Sequence, residues 1–430
     1  MTEPSSRLDA SDPSRESAPL VVRTVLVEDT GSLLALLPED RDVTAWVRRG
    51  EGLVGWGVAA VRRTSGPGRF EEARTWWLEH AGTAVVRDEA CLPGSGLVCF
   101  GSFAFADEPG DSLLVVPEVV VGRRGDTMWV TTIGAGTIPA GPGLAAAEAV
   151  DAPVGVTFAD GALSGTEWET VVADAVRRIN EGALEKVVLA RDLYATAEQD
   201  IDVRWPLNRL AESYPMCWTF HVDGLFGATP EMLVRRERGL VTSRVLAGTI
   251  RRTGDDARDM ALAATLARSS KDLEEHEYAV RSVADALAPH CSSMNVPEAP
   301  FVLHLPNVMH LATDVAGVIH DADDPSATSL DLAASLHPSA AVGGTPTDVA
   351  TALILEIEGM DRGRYAGPVG WMDASGDGEW GLALRSAEIE GRRVRLFAGC
   401  GIVADSDPES ELAEGQAKFV PVRDSLGGTD

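Results

Sequence analysis

The chain has 430 residues, of which 45% are apolar and 24% charged, and this composition is typical of a globular protein with a sizeable core. Its 66 acidic residues outnumber its 37 basic residues and give a formal charge of -29. This charge argues against nucleic acid and anionic membranes as main partners, because both bind cationic patches. The five cysteines lack CxxC spacing, so we expect reduced thiols. The sequence has no apolar run of membrane-spanning length and no signal-peptide core, so we expect a cytoplasmic location.

The first part of the sequence predicts a tail followed by a sheet scaffold. Residues 1–20 are polar and rich in Pro and Ser, so we expect them to be disordered. Residues 21–155 alternate β-branched runs with Gly-rich turns, and one helix, FEEARTWWLEHAG, interrupts the strands. Five runs are each expected to form one strand: VVRTVLVE, GLVGWGVAAV, GLVCFGSFAF, LLVVPEVVVGRRG and TMWVTTIG.

Residues 156–425 differ from this first part, which holds few clustered polar residues. A capping box, SGTE, starts a helix that Gly182 ends. A strand then begins at Lys186. The block MCWTFHVDGLFGATPEMLVRRERGLVTSRVLAGTIRR predicts three strands, with Glu231 directly after a Thr-Pro turn.

Three further helical patterns follow. The first covers residues 255–288 and is broken near Ser269, and a strand containing His310 comes after it. Thr345 is expected to be the N-cap of the second helix, with a proline at its first position and Glu358 at its end. The sequence SDP begins the third helix.

Several polar residues are candidates for chemistry, and each has a plain structural alternative. Two pairs of acids at i, i+3 spacing are either solvated helix faces or parts of a Mg²⁺ site, since Mg²⁺ prefers carboxylate oxygens. Lys186 and Glu231 are either a surface lysine and a turn residue, or a base and an acid in one pocket. Arg385 either pairs with a scaffold acid or binds a carboxylate through two parallel hydrogen bonds. The acid pairs are Asp272 with Glu275, and Glu411 with Glu414.

Taken together and in order, eight blocks between residues 160 and 425 resemble the chorismate-utilising enzymes: the isochorismate, salicylate, anthranilate and aminodeoxychorismate synthases. The resemblance implies an α/β (α+β) fold, as in anthranilate synthase component I-like enzymes. That fold is a single large domain in which two β-sheets sandwich a cleft, with helices outside. The blocks are EKVVLAR, FGATPEML, LAGTIRR, KDLEEHEYAV, HPSAAVGGTP, RGRYAGPVGW, LALRSAEI and AGCGIVADSDPESELAEGQAK.

The resemblance also implies a role for individual residues. Mg²⁺, the implied cofactor, would be bound by Glu275 and Glu414 and would hold the ring carboxylate of chorismate, the implied substrate. Arg385 and Tyr365 would hold the enolpyruvyl carboxylate. The remaining residues would support the metal or line the pocket: Asp272 and Glu411 beside the metal; Gly248 and Thr249 at the ring carboxylate; Gly399 and Gly401 through their backbone; and His310, Ala341 and Lys418 in the pocket wall.

Four features favour the isochorismate synthase branch. Lys186 matches the base that activates water for attack at C2, and Glu231 matches the acid that protonates the departing C4 hydroxyl. Ala247 stands where aminodeoxychorismate synthases carry a lysine, and Ala341 starts the Ala-Val pair found where lyase-competent members tend to carry a threonine. Salicylate synthase is the alternative, and a binding protein on an inactive scaffold is a second class. We expect a monomer without a glutaminase subunit, whose product feeds menaquinone or siderophore synthesis.

Overall fold

A computed structural model describes residues 18–39, 41–138, 141, 143–320 and 327–427. Its helices are α1 (Arg69–Thr83), α2 (Gly165–Asn180), α3 (Arg204–Ser213), α4 (Asp256–Leu266), α5 (Ser270–Leu287), α6 (Ser329–Ser335), α7 (Thr347–Ile357) and α8 (Pro408–Ser425). Within this part of the chain, none of the helices is both long and apolar enough to cross a bilayer.

The strands, in chain order, are β1 (Leu20–Val27), β2 (Val43–Arg48), β3 (Glu51–Trp56), β4 (Ala60–Thr64), β5 (Val85–Asp88), β6 (Val98–Ser102), β7 (Ser112–Val116), β8 (Val119–Arg124), β9 (Thr127–Ala135), β10 (Thr157–Asp160), β11 (Lys186–Thr196), β12 (Trp218–Val222), β13 (Leu225–Thr229), β14 (Met232–Glu237), β15 (Leu240–Arg251), β16 (Cys291–Asn295), β17 (Phe301–His304), β18 (Val308–Ile319), β19 (Gly344–Thr345), β20 (Pro368–Asp373), β21 (Gly378–Leu382), β22 (Ser386–Glu390) and β23 (Arg393–Ile402).

These strands form two large sheets. The first has the order β10-β11-β23-β22-β13-β12-β2-β3-β8-β9-β1-β5, with β19 also paired to β11. The second has the order β16-β18-β15-β14-β21-β20-β6-β7-β4, with β17 also paired to β18. In each sheet a block of strands from residues 156–425 lies beside a block from residues 21–155, joined by the pairs β12–β2 and β20–β6. The two parts of the sequence therefore share both sheets.

The two sheets pack face to face. Trp46 of β2 in the first sheet donates a hydrogen bond from Nε1 to Glu379 Oε2 of β21 in the second, at 2.7 Å. A Cβ added to Gly381 would lie 2.9 Å from the Trp46 ring, so the close approach of the sheets requires glycine there. The core between the sheets contains large, fully buried rings, among them Trp129, Phe100 and Trp380. This is the two-sheet α/β sandwich that the sequence predicted.

Several local predictions were wrong. GLVGWGVAAV forms β3 and β4, which lie in different sheets, because Gly57 (φ +71°) turns the chain between them. LLVVPEVVVGRRG likewise divides at Pro117 into β7 and β8 of different sheets. The block expected to form three strands forms four, β12 to β15, and β2 and β5 were not predicted.

The helix boundaries agree better with the sequence. The capping box of α2 forms as predicted, and α4 and α5 are separated at Ser269, which caps α5. The cap predicted at Thr345 is wrong, because Pro346 is the N-cap residue of α7 and Thr345 pairs with Lys186 in the first sheet. Residues 1–17 of the predicted tail lie outside the described residues, and Leu20, which we assigned to the tail, is buried at the start of β1.

Candidate active site

A cavity of about 60 Å³ lies where β11 and β23 of the first sheet face β15 and β18 of the second. This volume is enough for a few water molecules. Most of the predicted site residues line it: Glu231, Gly248, Thr249, Glu275, His310, Ala341, Tyr365, Arg385, Gly399, Gly401, Glu414 and Lys418. The other three, Lys186, Glu411 and Asp272, lie directly behind this lining.

Glu231 lies in the short connection between β13 and β14 and is 5% exposed. Its main-chain N–H donates to Thr229 Oγ1 at 3.2 Å, and its Oε1 accepts a long hydrogen bond of 3.5 Å from Leu246 N. Burial raises the pKa of Glu231 to about 7, although the Leu246 N–H and the charge of Lys186 oppose the rise. A substantial fraction of Glu231 is therefore protonated at neutral pH, as an acid catalyst requires.

Lys186 is the first residue of β11, and its side chain is fully buried. Its Nζ lies 3.1 Å from Glu275 Oε1 of α5. The pair fits because Gly401 of β23 has no side chain: a Cβ there would overlap Glu275 Oε1 and would lie 3.1 Å from Lys186 Cε. Three segments distant in sequence thus meet at this ion pair.

The middle of α8 supplies a second ion pair. Glu414 and Lys418 are 2.6 Å apart, and Lys418 Nζ also donates to the Gly399 carbonyl at 2.9 Å. Burial disfavours the charge of Lys418, but the charge and hydrogen bond of Glu414, together with Cys400, more than offset it and raise the pKa of this lysine. Glu411 is 4% exposed and accepts a hydrogen bond of 2.8 Å from Ser406 Oγ.

The carboxylates fit a magnesium ion by their chemistry. Glu275 and Glu414 line the same cavity and offer oxygens, the donors that Mg²⁺ prefers. Among the described residues, Glu411 and Glu414 also form a group with Cys400 whose possible ligand atoms lie within 4.8 Å of one another. Asp272 is not part of the lining; it packs against Gly248, where an added Cβ would lie 3.0 Å from Asp272 Cβ.

The opposite corner of the cavity holds a chain of three polar side chains. Arg385, in the turn between β21 and β22, has a left-handed backbone (φ +50°) and places Nη2 3.2 Å from His310 Nε2. His310 Nδ1 lies 3.1 Å from Thr249 Oγ1. Burial, and then the charge of Arg385, hold the pKa of His310 well below its usual value, so the ring is neutral. Tyr365 stacks on Phe397 nearby, with ring centroids 5.0 Å apart.

Arg362 is a cavity residue that the sequence reasoning missed. It forms a buried ion pair of 2.5 Å with Glu358 and donates to the carbonyls of Val188 and Val342, at 2.7 Å and 3.0 Å. Glu358 accepts a hydrogen bond of 2.7 Å from Ala190 N. The strands β19 and β10 pair only with the two ends of β11. Between them, Glu358 and Arg362 provide hydrogen-bond partners for the Ala190 N–H and the Val188 carbonyl. The i, i+4 spacing of the two residues at the end of α7 was the available signal.

The chain is similar to known proteins in sequence and in structure. The profile of a family described as "Chorismate binding enzyme" matches residues 146–427. Isochorismate synthase DhbC of Bacillus subtilis is 42% identical over 272 residues, which are 61% of this chain and 68% of DhbC. The structure of MenF, the menaquinone-specific isochorismate synthase of Escherichia coli, has a TM-score of 0.78 at 25% identity and covers 95% of each chain. Anthranilate synthase component I of Streptococcus pneumoniae has a TM-score of 0.69 at 20% identity, covers 88% of this chain and 92% of its own, and shows a shared fold.

Proposed function

The chain belongs to the chorismate-binding enzyme family, and on this premise we propose that it is an isochorismate synthase, which converts chorismate to isochorismate. The observation that carries the proposal is the pairing of a buried lysine and a buried, partly protonated glutamic acid around one cavity. Lys186 is close enough to Glu231 for its charge to lower the pKa of that acid. The two residues are suited to opposite proton transfers.

The proposed reaction exchanges one hydroxyl for another. Lys186 takes a proton from water as the water oxygen bonds to C2 of chorismate. The two ring double bonds shift, the C4–O bond breaks, and Glu231 gives its proton to the departing oxygen. One water enters and one leaves, so the reaction is an isomerisation, and the enolpyruvyl ether is kept.

We propose that Glu275 and Glu414 hold Mg²⁺, with Glu411 behind them. When bound, the ion supplies positive charge that holds the ring carboxylate of the substrate. The lysines that now pair with these acids then become available to other groups in the cavity. At the other corner, Arg385 and Tyr365 bind the enolpyruvyl carboxylate, with the Gly399 and Gly401 backbone beside it. Asp272 serves to support the turn at Gly248.

One product analysis tests this proposal. The protein is mixed with chorismate and Mg²⁺, and the products are separated by chromatography, with pyruvate measured in parallel. We expect isochorismate without pyruvate. Salicylate with an equal amount of pyruvate indicates the alternative synthase, and no turnover indicates a binding protein. The isosteric variant Glu231→Gln, purified in the same way, controls for contaminating host enzyme.

The proposal also covers partners and location. Because water is the nucleophile, the enzyme needs no glutaminase subunit to supply ammonia, and added ammonia should yield no anthranilate. We propose a cytoplasmic monomer, whose mass in solution is measured by light scattering. The product is a precursor of menaquinone and of catechol siderophores, and disruption of the gene with growth tests for each end product assigns the pathway.

A further inference from the structure

The polar chain at the Arg385 corner has a fixed direction of hydrogen bonding. His310 pairs with Thr249 across β18 and β15, immediately after the bulge at Gly248 (φ +77°). The histidine is 4% exposed, and its two ring nitrogens lie 3.2 Å from Arg385 Nη2 and 3.1 Å from Thr249 Oγ1. Both nitrogens are thus engaged by protein atoms.

Chemistry decides which atom donates in each contact. A guanidinium has only donors, so His310 Nε2 must accept from Arg385 and carries no hydrogen. A neutral imidazole has one hydrogen, and it is therefore on Nδ1. Arg385 and Lys418, which face the ring, disfavour a second proton on it. A hydrogen bond of the ring with the Gly248 backbone raises the pKa of His310 but does not outweigh burial and these charges.

The position of this hydrogen determines the hydrogen-bonding direction of the Thr249 hydroxyl, which lines the cavity. Because Nδ1 carries a hydrogen, it has no lone pair for the threonine hydroxyl. Thr249 Oγ1 must accept from His310, and its own hydrogen is then free for an acceptor in the cavity. Arg385 also offers only donors. Two side chains at this corner are therefore set to donate, which suits a ligand group that only accepts, such as a carboxylate.

We propose that His310 is a positioning residue: it does not bind substrate itself but fixes the hydroxyl of Thr249 and the guanidinium of Arg385 as donors toward a substrate carboxylate. This inference rests on the proposed function, since it assumes a dicarboxylate substrate. It changes two roles that the sequence resemblance gave. His310 does not bind substrate, because both polar atoms of its ring are used within the protein, and Thr249 donates to the carboxylate held by Arg385 and not to the ring carboxylate.

Three variants test the inference by steady-state kinetics and by fluorescence titration of chorismate binding. His310→Leu removes both hydrogen bonds, and we expect Kd and KM to rise about tenfold or more, the effect of losing a hydrogen bond to a charged group. His310→Gln keeps one acceptor for Arg385 and one donor for Thr249, so it should recover most of that loss. Thr249→Val should weaken chorismate binding by itself. In the Thr249→Val protein, the further loss of affinity caused by His310→Leu should be much smaller than the loss it causes in the wild type.

The opposite results overturn the inference. If His310→Gln binds as weakly as His310→Leu, the ring acts by direct contact or by packing. If the effects of His310→Leu and Thr249→Val multiply, the histidine does not act through Thr249. If circular dichroism shows that His310→Leu does not fold, the test is made in the His310→Gln variant. Thr249→Val must then weaken chorismate binding in that variant by the same factor as in the wild type. Wild-type turnover of chorismate is measured first, so that failure of the proposed function is recognised separately.

Discussion

Gly401→Ala gives the sharpest test of the proposed Mg²⁺ site. A methyl group at this position would overlap Glu275 Oε1, and the oxygen must withdraw by roughly 1 Å to reach an ordinary contact distance. The overlap is with the end of a side chain, and Gly401 lies within the extended strand β23, so the fold should survive. A misplacement of about 1 Å at a reacting centre costs on the order of 10²-fold in rate. We expect kcat/KM to fall by about that factor and the apparent Mg²⁺ affinity to fall roughly 10- to 100-fold.

The assays are calorimetric titration of Mg²⁺ in the presence of chorismate, turnover against Mg²⁺ concentration, and thermal unfolding. Gly415→Ala is the matched control, because the nearest atom to its added methyl group is Cys400 Sγ at 3.8 Å, an ordinary contact. That control should keep wild-type metal affinity and gain about 0.5–1 kcal/mol in stability, since alanine is favoured over glycine inside a helix. Wild-type Mg²⁺ affinity in Gly401→Ala would refute the placement of Glu275 at the metal, and an unfolded variant would refute the argument that only a side chain must move.

Four further outcomes are expected. Glu231→Gln should lower kcat by about 10²-fold or more. Because burial raises the pKa of Glu231 to about 7, the acid form is lost above this pH, and kcat/KM of the wild type should decline as pH rises through 7 in a pH–rate profile. Lys186→Ala should lower kcat by a similar factor, measured by isochorismate formation. EDTA should abolish turnover and excess Mg²⁺ should restore it, so full activity in chelator would exclude the metal. Arg362→Met leaves Glu358 buried without its cation and should cost about 3–5 kcal/mol in urea unfolding, whereas Arg177→Met, at an ion pair with side chains 55% and 61% exposed, should unfold like the wild type.

The sequence grouped the residues around this cavity better than it located the strands. Residues such as Lys186 and Glu231 stand at ends of elements, where polar groups next to apolar runs are conspicuous, and the order of eight blocks made their combination informative. The strand errors arose where one apolar run serves two sheets. Alternation of apolar residues shows that a segment is extended, but it does not show which sheet the segment joins. The chain passes from one sheet to the other at Gly57 and at Pro117, but this is recognised only from the strand order of the two sheets.

Other parts of the site depend on contacts between distant segments. Glu358 bonds to Ala190, 168 positions away, and completes the edge of the strand that carries Lys186. Sequence spacing shows that Glu358 and Arg362 can pair, but it cannot show that a gap in a sheet edge needs them. Asp272 and Glu275 illustrate the same limit, because their i, i+3 spacing places both on one helix face but does not show that Glu275 lines the cavity and Asp272 does not.

The charge distribution explains why a strongly acidic protein can bind a dianion. The net charge of -29 repels an anionic substrate at long range, so affinity must come from groups inside the cavity. There, Lys186 and Lys418 each contact one of the two acids proposed to bind Mg²⁺. If these acids become ligands of the proposed Mg²⁺, the ion adds two positive charges to a part of the cavity where acids and lysines now balance each other. On that proposal, the ion and Arg385 are the two groups that attract the carboxylates of the substrate.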